Sequence, residues 1–545
     1  MATSTNLLPD DFHIFSLAGI ALSASIFLTV SIIYTISHGI YNLYFHPLHH
    51  IPGPFWSRAS GIPYNLRMRR GTVAPWLLAA HARYGDAVRV NPNEVSFISG
   101  ETAWQDIYGF HHGGGSKNGK KNLTSAAYLK DRRWFPLPLN KTWSIIASDE
   151  ETHGRMRRNL SHAFSEKALK EQEGIIQGYV GLLVERLKEC VEEGRSEVNV
   201  MRWYNYTTFD VIADLMFGEP LYCLRDRGYH PWVNLVFATV KAVAFIAART
   251  HFPIFYYYDQ LLSLTNPNHA NKVLRMRKDF FDLSRQKVTD RIALGPTRPD
   301  FMTAILHNQS APEKALTRDE IDSNAIIMLV AGSETSATAL SGTTYLVLRD
   351  ASVHARVVKE VRGAFGAAEE ITMDRVARLE FLNACLHEGL RIYPPVPTGF
   401  PRVVPAGGDT ISGVYVPGGT SVYVSQHASN LSPRNFKNPE VYAPERWLAS
   451  KDPSSEYAND NRAAYSPFSF GPRSCLGKNL AYAEMRLILA QMLFNFDLEL
   501  VDNGGDKDGK GWLDGQKVFT LWEKPDLMVR LSPVTKAEAV ESKDE

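Results

Sequence analysis

Residues 468–477, FSFGPRSCLG, fit the pattern F-x-x-G-x-R-x-C-x-G. Cys475 is one of only four cysteines, and glycines flank it at 471 and 477. Glycine tolerates backbone angles that other residues avoid and lets the chain approach a bulky group. Downstream, Leu480, Met485, Ile488, Leu489, Met492 and Leu493 recur at helical spacing over 478–496, so Cys475 falls just before a helix N-terminus. The free N–H groups and dipole of such a terminus favour a thiolate. A lone thiolate held this way is a nucleophile or a metal ligand; the blander alternative is a buried structural cysteine in a glycine-rich turn. Arg473, two residues earlier, offers a cation suited to a carboxylate.

Other chemistry-bearing groups lie upstream. Residues 331–336, AGSETS, place Glu334 and Thr335 inside an otherwise apolar run (326–330). A carboxylate in the middle of a buried helix is costly unless it is used. The plain alternative for Thr335 is a hydroxyl bonded to the carbonyl four residues back. His153 and Arg157 are four apart and share a helix face, as do Glu388 and Arg391 at a spacing of three. Alone, each pair reads as a solvated surface feature. Arg446 lies in the run Pro444-Glu445-Arg446-Trp447, some fifty residues after Arg391.

The elements that must carry these groups are mostly helical. Thr317 and Glu320 form a capping-box signature, and the helix they open runs to about Arg349, roughly 48 Å at 1.5 Å per residue. Gly332 within it removes a side chain and lets a flat group lie close. Residues 86–98 predict a β-hairpin around Asn91-Pro92-Asn93, 102–108 a short helix, and 409–424 a second hairpin. The end, 517–531, predicts another, with Val518 and Phe519 at its tip. Residues 111–122, HHGGGSKNGKKN, form a polar loop too long for a tight turn. Phe237, Phe245, Phe252 and Phe255 in the helical region 170–300 are core or cavity-lining residues.

Together these stretches resemble the cytochrome P450 family. The cysteine loop, the E-x-x-R pair, the P-E-R-W run and the A-G-S-E-T helix occur in the family's order, and the resemblance covers about residues 45–533. It implies a mainly α fold with small β-sheets and a haem b cofactor whose iron takes the Cys475 thiolate as axial ligand. It implies that His153, Arg157, Arg402, Phe468 and Arg473 hold the haem, the first three of these at its propionates. By the same analogy Glu334 and Thr335 relay protons and water to dioxygen, with Ser336 standing where threonine is common. Glu388, Arg391 and Arg446 form a buried structural cluster, in which losing one partner would strand a charge at roughly 3–5 kcal/mol. Ala331, Val396, Thr398 and Phe519 are the substrate contacts the resemblance implies.

Composition narrows the rest. A net charge of +1 gives no reason to expect nucleic acid. The cysteines, Cys190, Cys223, Cys385 and Cys475, are far apart and form no CxxC pair, which leaves zinc ribbons and cysteine-ligated clusters unsupported and suits a reducing compartment. Residues 15–36 carry no charge over a length that crosses a bilayer core. Asp10 and Asp11 precede this span and Arg58, Arg67, Arg69 and Arg70 follow, which places the bulk of the chain on the cytoplasmic side. The expected organisation is a short lumenal N-terminus (1–14), an anchor in membrane lipid (15–36), a proline-containing hinge (37–56), the catalytic domain (57–533) and a charged, disordered tail (534–545). Sequons such as Asn122-Leu-Thr and Asn205-Tyr-Thr would stay unglycosylated with this topology.

The resemblance implies a single-pass protein of the endoplasmic reticulum membrane that uses O2 and an apolar small molecule. No flavin- or nicotinamide-binding domain is read in the chain, so electrons come from a partner, by analogy NADPH–cytochrome P450 reductase, with Lys478, Arg155 and Arg158 expected in its docking face. The wording at 103–108 and 391–447 is most similar to filamentous-fungal P450s of secondary metabolism, such as trichothecene hydroxylases, which implies hydroxylation or epoxidation. Desaturation, ring expansion or oxidative coupling is the nearest rival; a haem-binding membrane protein without turnover is the rival of another class, disfavoured by the Glu334–Thr335 pair.

Overall fold

The computed structural model describes residues 16–110, 127–135, 137–449, 452–501 and 511–534. The polar loop 111–122, the first 14 residues and the tail from 535 lie outside them. What is described is mainly helical, with small sheets set at the edges of a helical body.

Helix Leu17–Tyr44 opens at Ser16, whose hydroxyl accepts the Gly19 N–H at 3.1 Å. Apolar side chains stand exposed along it, and only Gly19 and Asn42 are buried. Helices Pro231–His251 and Arg318–Arg349 are also long and apolar enough to cross a bilayer. They are 33% and 67% buried in the protein over their most apolar windows, against 6% for the first. Burial therefore separates the two core helices from the exposed first helix where composition does not.

The anchor runs eight residues past the expected end at 36, into the stretch read as a hinge. Nothing in 37–44 breaks a helix; Pro47, which disfavours helix in the residue before it, is the first such signal. The segment is also tied down. Arg89, on strand Ala87–Asn91, donates to the Asn42 carbonyl at 2.7 Å and to the Pro92 carbonyl at 2.7 and 3.0 Å. The Asn42 amide donates to the Ala59 carbonyl at 2.9 Å.

The expected hairpins form. Strand Ala87–Asn91 pairs antiparallel with Glu94–Phe97, which continues through Ser421–Val424 and Arg402–Val403 to the edge strand Leu129–Lys130. Register in the last pair sets Lys130 directly opposite Arg402. Asp409–Ile411 with Val414–Val416 and Lys517–Phe519 with Leu521–Glu523 form separate two-stranded sheets.

Helix Arg318–Arg349 crosses the core and carries both halves of the capping box between Thr317 and Glu320. It packs most extensively on helix Val200–Phe217, which is almost wholly buried. Gly332 serves this contact: a Cβ there would lie 2.6 Å from Ile212 Cδ1. The flat group expected to exploit Gly332 thus shares the position with a neighbouring helix. Helix Lys478–Asn495 follows the cysteine loop at the boundary the apolar spacing predicts.

Candidate active site

Cys475 lies at the mouth of helix Lys478–Asn495, its N–H donating to the Phe468 carbonyl at 2.8 Å. Gly471 turns the loop with φ +73°, and a Cβ there would fall 1.9 Å from the Tyr108 carbonyl oxygen. Gly477 has an ordinary φ of −86°, so only the first of the two glycines answers a backbone need. Cys475 lies inside the molecule, and its side chain is open to a cavity of about 270 Å³. Burial raises the thiol above its usual value, while the Gly477 N–H, Arg157 and Lys478 act to lower it. Burial therefore outweighs the helix terminus and the nearby cations at this thiol.

The cavity brings together His153, Arg157, Ala331, Thr335, Val396, Phe468, Arg473 and Cys475 from the sequence reading. Arg157 donates to the Ser474 carbonyl at 2.8 Å, which ties helix Glu150–Leu160 to the cysteine loop. Arg473 donates to the Ser148 carbonyl at 3.0 Å and meets Glu150 at 3.2 Å. Arg402 lies just behind the lining; its Nη1 donates to the Tyr128 carbonyl at 3.1 Å, and its buried Nε has no partner. Burial and the charge of Arg473 lower Arg402 to about 10 despite some support from Tyr108 and Glu150. Burial, with Arg473, Arg157, Arg402 and Lys130 all adding to it, lowers His153 to about 3, so its imidazole is neutral near pH 7.

Lys130 was not singled out from the sequence. It sits in the short edge strand opposite Arg402, lines the cavity, and places its ammonium 4.1 Å from the Phe400 ring centroid. Burial first, then Arg402 and Arg473, depress it well below an ordinary lysine. Like charges set opposite each other in a sheet are destabilising. Among the described residues the one ion pair found for this group is Arg473–Glu150, and Glu150 is largely exposed. A buried basic rim so poorly neutralised suits an anionic ligand. The same cavity is lined by the apolar Phe164, Ile212, Met328, Leu390 and Met485, and by one thiol. That donor set fits haem: flat and apolar, with carboxylates at one edge and iron for the sulfur.

Thr335 faces this cavity, with its hydroxyl donating to the Ala331 carbonyl at 2.7 Å. Glu334, the preceding residue, does not. A helix turns about 100° per residue, and Glu334 points into a second cavity of about 370 Å³, ion-paired there with Lys524. Burial raises the Glu334 carboxyl and Lys524 opposes that rise. The two residues expected to act together therefore open to different cavities.

Phe519 likewise lines the second cavity, alongside Phe237, and stacks on Phe245 at 6.1 Å. Phe252 and Phe255 pack on each other. Thr398 is buried and does not line the Cys475 cavity. Glu484, also missed, is fully buried on the cavity side of helix Lys478–Asn495 and bonds Ser336, with burial raising it to about 8. Its only signal was a carboxylate among the apolar positions that mark the helix's inner face.

Glu388, Arg391 and Arg446 meet as expected, all fully buried and outside the cavity. Arg391 grips Glu388 at 2.7 and 2.9 Å, and Arg446 reaches it at 3.2 Å. Asp460 pairs with Arg446, and Trp447 donates to Glu388 at 2.9 Å, so the cluster balances its charges. The docking expectation changes at one residue: Arg155 is held by Glu320 at 2.5 Å and by the Ala315 carbonyl at 2.6 Å. Arg158 and Lys478 remain exposed.

Residues 122–525 match the family described as Cytochrome P450. The chain is 46% identical over 520 residues to the cytochrome P450 monooxygenase lcsI of Purpureocillium lilacinum, spanning 95% of this chain and 96% of that one. It is 44% identical over 505 residues to the monooxygenase traB of Penicillium crustosum, spanning 92% and 95%. Against efuB of Hormonema carpetanum it is 40% identical over 500 residues, spanning 91% and 94%.

Proposed function

The chain belongs to the cytochrome P450 family and is a monooxygenase of it, and on that premise we propose that it inserts one oxygen atom from O2 into an apolar small molecule of fungal secondary metabolism. Hydroxylation or epoxidation is the proposed outcome, haem b the proposed cofactor, and NADPH–cytochrome P450 reductase the proposed electron donor. The anchor helix supports a membrane-bound protein; the endoplasmic reticulum, with the catalytic body on the cytoplasmic side, is the proposed location.

The observation that carries this reading is the Cys475 side chain opening onto a cavity rimmed by Lys130, His153, Arg157 and Arg473. Cys475 would ligate the iron as thiolate, and Arg157 and Arg473 with Lys130, His153 and Arg402 would receive the propionates. Haem supplies the redox chemistry by which dioxygen is cleaved and one of its atoms inserted. The chain's own part is to exclude water with Ile212, Met328 and Leu390 and to present the Thr335 hydroxyl for proton transfer. Ala331 and Val396, which line this cavity, are the proposed substrate contacts; Phe519 and Thr398 do not line it. Glu388, Arg391 and Arg446 brace the region without touching the reacting atoms.

Carbon monoxide added to the reduced protein tests the ligand. The red-shifted absorption characteristic of a thiolate ligand is expected, and Cys475→Ala should abolish it. Well-folded protein lacking that band, or a band that survives the substitution, would end this reading. Product analysis with reductase and NADPH then separates hydroxylation from epoxidation, desaturation or coupling.

A further inference from the structure

A row of aromatic rings leads from the cysteine loop toward the surface, and the proposed reaction does not use it. Phe468 lines the Cys475 cavity and packs on Tyr482, with ring centroids 5.0 Å apart. Tyr482 lies 5.4 Å from His387, and His387 lies 5.4 Å from Trp447. Tyr465 closes the group, 5.8 Å from His387 and 4.5 Å from Trp447. Tyr482 and His387 stand on helices Lys478–Asn495 and Glu380–Ile392, and Trp447 on the short helix Glu445–Leu448. Tyr482 is buried, whereas Tyr465 and Trp447 are partly exposed. Packing alone accounts for rings in contact. It does not account for the polar groups set against them. His387 Nδ1 lies 3.1 Å from the Tyr465 hydroxyl and 3.3 Å from the Tyr482 hydroxyl. Burial first, then Arg486 and Lys478, lowers His387 to about 4, so the imidazole is neutral near pH 7. With Nδ1 as the acceptor, one base serves both phenols. The Trp447 indole N–H donates to Glu388 at 2.9 Å, so positive charge on that indole would face a carboxylate. Each oxidisable ring therefore has a partner for the proton it loses or the charge it gains.

We propose that Tyr482 and Trp447, with Tyr465 beside them, form a one-electron outlet that protects the cysteine loop when peroxide oxidises the haem and no substrate is there to be oxidised. The proposal rests on the monooxygenase reading above and adds a protective function to it. Tyrosine and tryptophan yield an electron only to a strong oxidant and accept none from a flavin, so the row does not serve the reductase. Tyr482 gives one electron to the oxidised haem across the Phe468 contact and passes its phenolic proton to His387. Trp447 then gives an electron to the Tyr482 radical across His387, the phenol takes its proton back, and the positive charge rests on the indole beside Glu388. A small thiol at the surface returns the electron to Trp447. Two such passages oxidise two thiols to one disulfide and release two protons. The two electrons, with two protons from solvent, convert the oxygen atom that peroxide left at the haem to water.

The test mixes full-length haem-loaded protein with hydrogen peroxide in the absence of substrate and freezes it for electron paramagnetic resonance. Wild type should show a tryptophan radical, identified by the narrowing that ring-deuterated tryptophan causes, and Tyr482→Phe and Trp447→Phe should not. Haem absorption should bleach several-fold faster in both variants, and glutathione should slow the bleaching of wild type alone. Trp447→Phe also removes a bond to Glu388; if it fails to fold, Tyr482→Phe, which deletes one hydroxyl, decides. If the rings are only packed together, the variants will change the melting temperature while the radical and the bleaching rate stay at wild-type values, and the proposal falls. It falls equally if wild type forms no tryptophan radical. The carbon monoxide band should persist in both variants. Its absence from wild type would instead refute the haem-thiolate reading. Pulse radiolysis of that same protein with azide radicals would still decide whether the rings exchange an electron: transfer from indole radical to phenol should be slower in the Tyr465→Phe/Tyr482→Phe pair, and an equal rate would overturn the outlet.

Discussion

Lys130 and Arg402 face each other across two strands, and among the described residues neither forms an ion pair. Replacing Lys130 by Met removes this repulsion and leaves the Phe400 contact to an apolar chain. We expect the haem-free protein to be no less stable, while haem retention drops by about 2 kcal/mol, roughly 30-fold, for one lost charged hydrogen bond; competition for haem by apomyoglobin measures it. The sequence shows Arg391 and Glu388 as neighbours because they are one helical turn apart. It does not show Lys130 with Arg402, Lys524 with Glu334 or Asp460 with Arg446, since chain-distant partners leave no local period. Glu94 makes the same point away from the site. It is buried beside Tyr64, Asn91 and His251, with Asp131 and Arg133 close by, and burial raises it to about 7. Below pH 4.5, its ordinary value, the carboxyl is protonated folded or unfolded. As pH rises toward 7 the unfolded chain releases the proton and the folded one keeps it, so stability is lost across that window. Glu94→Gln should therefore gain on wild type from nothing near pH 4 to roughly 3 kcal/mol above pH 7, read by urea unfolding at each pH.

The central helix was the most legible element: its capping box, its length and its buried middle are all local properties. Its partner was not, because an apolar face does not say what covers it. Gly332 read as space for a cofactor, and the structure also spends that space on Ile212. Gly332→Ala should destabilise the protein by about 1–3 kcal/mol through overpacking, and Ile212→Val, which removes the nearest methyl, should recover part of the loss in thermal unfolding. The Lys517–Phe519 hairpin was legible too, but which cavity its tip would meet was not. That depends on helix Pro231–His251, whose Phe237 and Lys241 close the second cavity from the far side.

The described molecule is a helical body joined to one helix long and apolar enough to cross a bilayer, and as a P450 monooxygenase it takes electrons from a redox partner. With Arg155 committed to Glu320, the exposed Arg158 and Lys478 remain for an acidic partner. Charge reversal at these two should weaken reductase binding and flatten its dependence on salt without changing the melting temperature; unchanged binding in a salt titration would dismiss this face. The first helix was legible as long and apolar enough to cross a bilayer, but its tie to the body was not, because Arg89 lies some fifty residues from the carbonyl it holds. That tie limits where the chain can be cut. A detergent-free version that begins after Asn42 takes away an acceptor from a guanidinium with no carboxylate to replace it. Trimming should therefore stop short of the helix's last turn, keeping it as a plug while the greasy remainder is discarded.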